Sequence, residues 1–239
     1  MANKRPNTKQ TKELKRKTAV VARRLKKRFG SLERPGLGDP LESMIVTILS
    51  QNTNDVNRDR AYRSLRNAFP TWELMLEAPP SRIARAIRVG GLSKQKSKYI
   101  KDLLKWVKQT YGKLSLDAMR DMTVEEAMQV FTQHKGIGLK TVYVTLVFTC
   151  GKDVFPVDTH IYRIVRRLGL APEKLSRDGV TEWMQVLIPK GRAFEFHIHL
   201  IRFGREVCKA RRPLCYDCPF TRTCRYTEKT LTPPGNPTR

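Results

Sequence analysis

Apolar residues recur along this chain at helical spacing and seldom at the alternation of a strand. Leu41, Met44, Ile45, Ile48 and Leu49 fall at i, i+3, i+4, i+7 and i+8, the stripe of a helix facing a core. Asp39-Pro40-Leu41-Glu42 supplies its start: an N-cap, a proline at the first helical position and a glutamate at N3. Polar residues Gln51 to Asp55 interrupt the pattern. Tyr62, Leu65 and Phe69 mark another helix, which stops at Pro70. Ser81 can cap a short helix with Ile83 and Ile87 that ends at Gly90-Gly91, and Ser93 can open one with Ile100, Leu103, Leu104 and Val107 on one face. Thr123 to Glu126 reads as a capping box. An apolar helix runs from the glycines at 136 and 138 to about Cys150. VFPVDTH is a short apolar return, and Asp158 and Thr159 can cap a helix with Ile161, Ile164, Val165 and Leu168 that Gly169 ends. A last helix covers roughly Phe194 to Val207, and the proline-bearing tail from Thr227 reads as disordered. No internal repeat interrupts this order. The expected class is all-α.

The chain has 239 residues, enough for one large domain or two small ones. Its 47 Lys+Arg against 22 Asp+Glu give a formal net charge of +25. Solubility alone does not require that excess, which points to a polyanion, most simply nucleic acid. No apolar run approaches the roughly 20 residues of a membrane-spanning helix. Residues 1–28 carry twelve Lys/Arg and one acid, Glu13. They read as a solvated, partly disordered arm that grips phosphates. A transit peptide fits less well, because the segment is rich in lysine and nearly lacks serine, and no apolar signal core is present.

HKGIGLKTVYV, from His134 to Val144, reads as a glycine turn feeding straight into a helix. Gly136 and Gly138 allow a sharp turn and a close backbone approach to a ligand. The unpaired N–H groups at the following helix start can hold a phosphate oxygen without reading a base. A plain αα turn would look the same. Lys140 adds chemistry, because the helix dipole disfavours another positive charge there and burial would lower its pKa. A neutral amine can form a Schiff base with a sugar aldehyde carbon. The competing role is a phosphate contact. Asp158, after one helix and a return, is the candidate partner carboxylate; the competing role there is a simple helix cap.

Cys208, Cys215, Cys218 and Cys224 give C-x6-C-x2-C-x5-C. Four thiolates so spaced can hold zinc or a [4Fe–4S] cluster, and the presence of only one C-x2-C knuckle favours the cluster. Without a secretory signal, a metal site in a reducing compartment is the better reading than disulfides. Lys209, Arg211, Arg212, Arg222 and Arg225 would make that loop a rigid phosphate-binding surface. Cys150 stands apart and reads as a core thiol.

GIGLKT, then VDTH, then the cysteine run resembles the endonuclease III family of DNA glycosylases, helix-hairpin-helix proteins, over about residues 33–225. The resemblance implies a two-domain helical fold with an iron–sulfur loop. Residues 1–32 would be a basic arm and helix packing with the C-terminal domain, and 33–152 a six-helix domain. Residues 153–226 would be a C-terminal helical domain with the cluster loop, and 227–239 a disordered tail. DNA would lie across the cleft. Lys140 would be the nucleophile and Asp158 the catalytic carboxylate. Leu92 resembles the wedge residue that enters the base stack. Gln51 and Asn52, in LSQNTND, resemble the segment that fills the gap left by the flipped base. Gly136 and Gly138 would hold phosphate, and Lys209, Arg211 and Arg212 would contact DNA. The cofactor would be a [4Fe–4S] cluster on the four cysteines, and the partner a double-stranded DNA with a damaged base or abasic site, bound by a monomer. The protein would work in the nucleoid of a prokaryote, or in the nucleus or mitochondrion of a eukaryote.

The family's bacterial members usually have proline where this chain has Lys135, arginine where it has Leu139, and LSAQATD where it reads LSQNTND. These differences touch the lesion pocket and the DNA approach, not the lysine. GLK followed by FPVDT is also similar to the plant 5-methylcytosine glycosylases, whereas the adenine-mismatch branch usually lacks the lysine. The function expected is base excision with strand cleavage by β-elimination, on an oxidised pyrimidine. Two alternatives stand beside it. One is a glycosylase with little lyase activity on uracil, mismatched thymine or alkylated bases. The other is a non-catalytic DNA-binding iron–sulfur protein.

Overall fold

The computed structural model describes residues 8–34 and 36–233, and among them every regular element is helical. The contacts divide the chain into two compact units, residues 36–152 and residues 1–35 together with 153–239.

The first unit holds α2 (Pro40–Leu49), α3 (Asp55–Ala68), α4 (Trp72–Glu77), α5 (Pro80–Ala86), α6 (Ser93–Tyr111), α7 (Val124–Phe131) and α8 (Leu139–Thr149). Helix α8 packs along α2 and against α7. It buries Thr141, Val142, Tyr143, Thr145, Leu146, Val147 and Thr149, so it is apolar around most of its circumference, as an interior helix must be. Two of its threonine hydroxyls bond within the helix: Thr145 Oγ1 donates to Thr141 O at 3.1 Å and Thr149 Oγ1 to Thr145 O at 2.7 Å.

Helix starts differ from the sequence pattern in detail. Asp39 caps α2 through Leu41 N at 2.8 Å, but the Glu42 carboxylate turns away to accept the Tyr62 hydroxyl. Burial and that carboxylate push the Tyr62 hydroxyl pKa up. Ser81 caps nothing. Helix α5 begins at Pro80 after Pro79, because a proline at the first position needs no N–H partner. Ser93 is the first residue of α6, and Leu92 takes the cap position. The capping box of Thr123 and Glu126 is present in full.

The second unit holds α1 (Thr8–Phe29), α9 (Thr159–Arg167), α10 (Arg177–Gln185) and α11 (Ala193–Glu206). Its core gathers Val21 and Leu25 of α1, Ile161, Ile164 and Val165 of α9, Trp183 and Met184 of α10, and Phe196, Leu200 and Phe203 of α11. Within the basic N-terminal segment, residues 8–29 form a 22-residue helix. Its apolar stripe is covered by α11, while its lysines and arginines stay at the surface. The arm's residues 1–7 and the tail's residues 234–239 lie outside the described residues. The described part of the tail is not loose: Thr230 O accepts from Tyr216 N at 3.1 Å, and Lys229 Nζ donates to Thr221 O at 2.9 Å.

Candidate functional site

The glycine turn is tight because three contacts define it. Ile137, 3% exposed, plugs into the unit's core, and its N–H donates to His134 O at 3.0 Å. Gly136 sits at φ +85, where an added Cβ would also run into the Tyr99 ring. Gln51 Nε2, from the turn after α2, donates to Gly136 O at 2.7 Å. Gly138 has extended backbone, and a Cβ there would meet nothing, so glycine leaves the backbone open to a close approach. Gly138 O accepts from Thr141 N and Val142 N, and no side chain caps α8. Lys140 is the second residue of α8 and is half-buried. Gly136→Ala is expected to destabilise the protein by about 2–4 kcal/mol, from left-handed backbone cost plus overpacking on Tyr99. Chemical denaturation of the folded protein measures this.

Two further segments of the same unit carry strained, exposed residues. Asn52 (φ 50) follows Gln51, and Leu92 (φ 49) follows Gly91. Leu92 is 49% exposed. A leucine in left-handed backbone costs about 1–3 kcal/mol, and such residues concentrate where function requires them.

Asp158 caps α9 in the second unit, its Oδ1 accepting from Ile161 N at 2.8 Å. Lys140 and Asp158 thus belong to different units. Helix α9 then anchors the cysteine loop through two arginines a turn apart. Arg163 Nη2 donates to Gly204 O at 3.0 Å and Cys208 O at 2.8 Å. Arg167 Nη1 donates to Lys209 O at 2.8 Å, Arg167 Nη2 to Ala210 O at 3.1 Å, and Nη1 lies 3.5 Å from Cys208 Sγ. Helix α1 holds the other side: Arg24 Nη1 reaches Pro219 O at 2.8 Å and Arg28 pairs with Asp217 at 2.5 Å. That pairing holds the Asp217 carboxyl below its ordinary pKa.

Cys208, Cys215, Cys218 and Cys224 line one cavity, together with Leu168, Phe203, Val207, Pro213 and Leu214 and with the cations Arg167 and Lys229. Phe220 N donates to Cys218 Sγ at 3.4 Å. Among the described residues, no three His, Cys, Asp or Glu side chains converge closely enough for a single metal ion. Four thiols around a shared apolar cavity, with cations beside them, fit a polynuclear thiolate-bound cluster better than one zinc. Burial pushes the Cys218 thiol up to about 11, and a bound metal would reverse that by taking the thiolate. Lys209, Arg211 and Arg212 are exposed on the loop, with Arg212 at φ 48, and Arg222 is exposed too. Arg225 is exposed as well and runs along Gly169. Cys150, in the first unit, is buried beside Thr149.

Sequence reasoning missed Gln51's hold on the hairpin and the anchoring arginines at 24, 28, 163 and 167. A signal existed for the last two: Arg163 and Arg167 stand four apart on a helix whose other face is the apolar Ile161, Ile164, Val165 stripe.

Residues 45–190 match the family described as HhH-GPD superfamily base excision DNA repair protein. A protein of Arabidopsis thaliana named as a candidate DNA glycosylase is 35% identical over 190 residues, 75% of this chain and 64% of that protein, so the match spans under two thirds of it. The endonuclease III of Sulfolobus acidocaldarius is 31% identical over 77% of this chain and 81% of its own. The endonuclease III of Thermotoga maritima is 28% identical over 86% and 91%. Among solved structures, a non-covalent endonuclease III–DNA complex superposes with a TM-score of 0.77 at 26% identity, covering 88% of this chain and 95% of that one. A trapped endonuclease III–DNA covalent intermediate gives the same values. This chain belongs to the HhH-GPD superfamily of base excision DNA repair proteins and is a DNA glycosylase.

Proposed function

We propose that this protein is a DNA glycosylase with lyase activity that removes a damaged base, an oxidised pyrimidine, from double-stranded DNA and then cuts the strand. The observation that carries the reading is Lys140 in the first turn of α8, directly behind the Gly136–Gly138 turn. The related endonuclease III found in a trapped covalent intermediate with DNA supports it.

A base inside the stack is out of reach, so it must be extruded. Leu92 enters the stack, Asn52 fills the vacated space, and the hairpin at Gly136 and Gly138 holds backbone phosphate. Lys209, Arg211 and Arg212 add phosphate contacts that carry no sequence preference. The Lys140 amine donates its electron pair to C1′. The C1′–base bond breaks, and the base departs with that bond's electrons and takes up a proton. The nitrogen then gives up one proton and its electron pair forms the C1′=N bond as the C1′–O4′ bond breaks and O4′ takes up a proton, leaving a protonated Schiff base. Loss of a C2′ proton then expels the 3′ phosphate by β-elimination. Asp158 stabilises cationic character at the sugar while the base leaves, or helps activate the amine.

The four cysteines would hold a [4Fe–4S] cluster whose contribution is to fix the loop, not to transfer electrons to substrate. Arg163 and Arg167 hold the loop's first residues by their carbonyls and so orient Lys209 and Arg211. Anaerobically purified protein is expected to contain about four iron and four acid-labile sulfide per chain. One zinc per chain, with no sulfide, would refute the cluster.

The functional test uses duplexes each carrying one oxidised pyrimidine, uracil, mismatched thymine or alkylated base. Strand scission without alkali supports the lyase. Scission only after alkali would show a glycosylase that uses water. Neither, with tight binding retained, would leave a DNA-binding protein.

A further inference from the structure

Lys96, in the first turns of α6, is 1% exposed, an unusual place for an ammonium group. Its Nζ donates to Leu49 O at 2.7 Å and to Gly90 O at 2.8 Å. Burial lowers its pKa. We infer that Lys96 is a positioning residue that fixes the turn after α2 against the loop before α6, so that Asn52 and Leu92 meet a DNA duplex as one device. The inference rests on the reading of this chain as a base-extruding glycosylase.

Both acceptors are main-chain carbonyls, so Lys96 holds backbone rather than a mobile side chain. Leu49 ends α2, where carbonyls lack helical partners and a cation is favoured. Asn52 comes three residues later, at φ 50. Gly90 closes a short 3-10 turn, and Leu92 comes two residues later, at φ 49. Both of these left-handed residues need surroundings that over-determine them. Gly90 is already pressed on α3, since a Cβ there would stand 3.1 Å from Ala61 Cβ. Gln51, between Leu49 and Asn52, extends the tie to Gly136 O at 2.7 Å. One buried ammonium and one amide therefore link the wedge loop, the gap-filling turn and the hairpin. Lys96 itself is too buried to touch DNA, so it acts through Asn52 and Leu92.

The test compares cleavage of a duplex bearing one abasic site opposite 2-aminopurine with cleavage of the abasic strand alone, which needs no extrusion. Lys96→Met is expected to slow duplex cleavage by about 100-fold, the scale of an ångström-level misplacement, in kcat more than in KM. Single-strand cleavage should stay at the wild-type rate, and the fluorescence rise of 2-aminopurine on binding should disappear. Combining Lys96→Met with Leu92→Ala should do no more harm than the worse single variant, because both act on one element. Equal losses on duplex and single strand, or multiplying effects in the double variant, would overturn the inference. If Lys96→Met does not fold, the same cycle run with Lys96→Gln decides, since the amide can keep one carbonyl bond. Wild-type protein that cleaves neither substrate would sink the lyase reading itself, and is recognisable without any variant.

Discussion

Lys140→Ala is expected to abolish the borohydride-trapped protein–DNA cross-link on an abasic duplex and to slow strand scission on the order of 10⁴-fold, as loss of a nucleophile does. The variant should remain folded, within about 0.5 kcal/mol of wild type, because alanine is the best helix former and the site is only half-buried. The first turn of α8 has no side-chain cap, so its N–H groups present the positive end of the helix dipole beside Lys140. A second positive charge is disfavoured at that helix end, and the proposed mechanism needs the neutral amine to attack C1′. Lys140→Arg separates this role from simple phosphate binding. A guanidinium keeps the charge and binds phosphate well, but it does not lose its proton. DNA affinity should therefore survive in Lys140→Arg while trapping disappears. Retained scission in that variant would reduce Lys140 to a phosphate contact.

The all-helical class was legible because apolar spacing and cap residues agree over α2, α6, α9 and α11. Where the reading failed, the reason is physical. In α1, Leu14, Thr18, Val21 and Leu25 form a helical stripe that the surrounding lysines and arginines hide in the sequence, and the fold buries that stripe in the second unit's core. Helix α4 is six residues capped by Thr71 between two prolines, too short for a period to register. Helix α10 offers Val180, Trp183 and Met184 at i, i+3 and i+4, but the stripe is short and Gly179 and Thr181 weaken its helical signal. The tail's return to Tyr216 rests on one backbone bond, which no local pattern announces.

The candidate site divides in the same way. Residues whose chemistry is local were visible: glycines in a turn, a lysine at a helix start, an aspartate before a helix, cysteines at cluster spacing. Residues that work by reaching across the fold were not. Gln51 meets Gly136 across 85 positions of sequence, Lys96 meets Leu49 across 47, and Arg163 meets Cys208 across 45. A glutamine, a lysine or an arginine in a basic chain carries no mark of such a partner until the helices are packed.

Asp158→Asn is expected to cut base release from a lesion-bearing duplex by about 10²–10³-fold, the scale of a lost charge at a developing cation, while leaving the fold nearly unchanged. The reason for choosing asparagine is the dual position of this residue. Asp158 Oδ1 accepts from Ile161 N at 2.8 Å and so starts α9, the helix whose Arg163 and Arg167 hold the cysteine loop. Asparagine caps a helix about as well as aspartate, so Asp158→Asn removes the negative charge but keeps the cap. Asp158→Ala removes both and should lose a further ~1 kcal/mol of stability. If the residue is only a cap, Asp158→Asn will release base at the wild-type rate and Asp158→Ala will fail in proportion to its lost stability. If the carboxylate acts on the sugar, both variants will lose base release alike, though only one is destabilised. Thermal melts run beside the base-release assay distinguish these outcomes. Scission of a pre-made abasic site adds a second axis. There the base has already gone, so a carboxylate needed for base departure matters less, and Asp158→Asn should retain more of this activity than of base release.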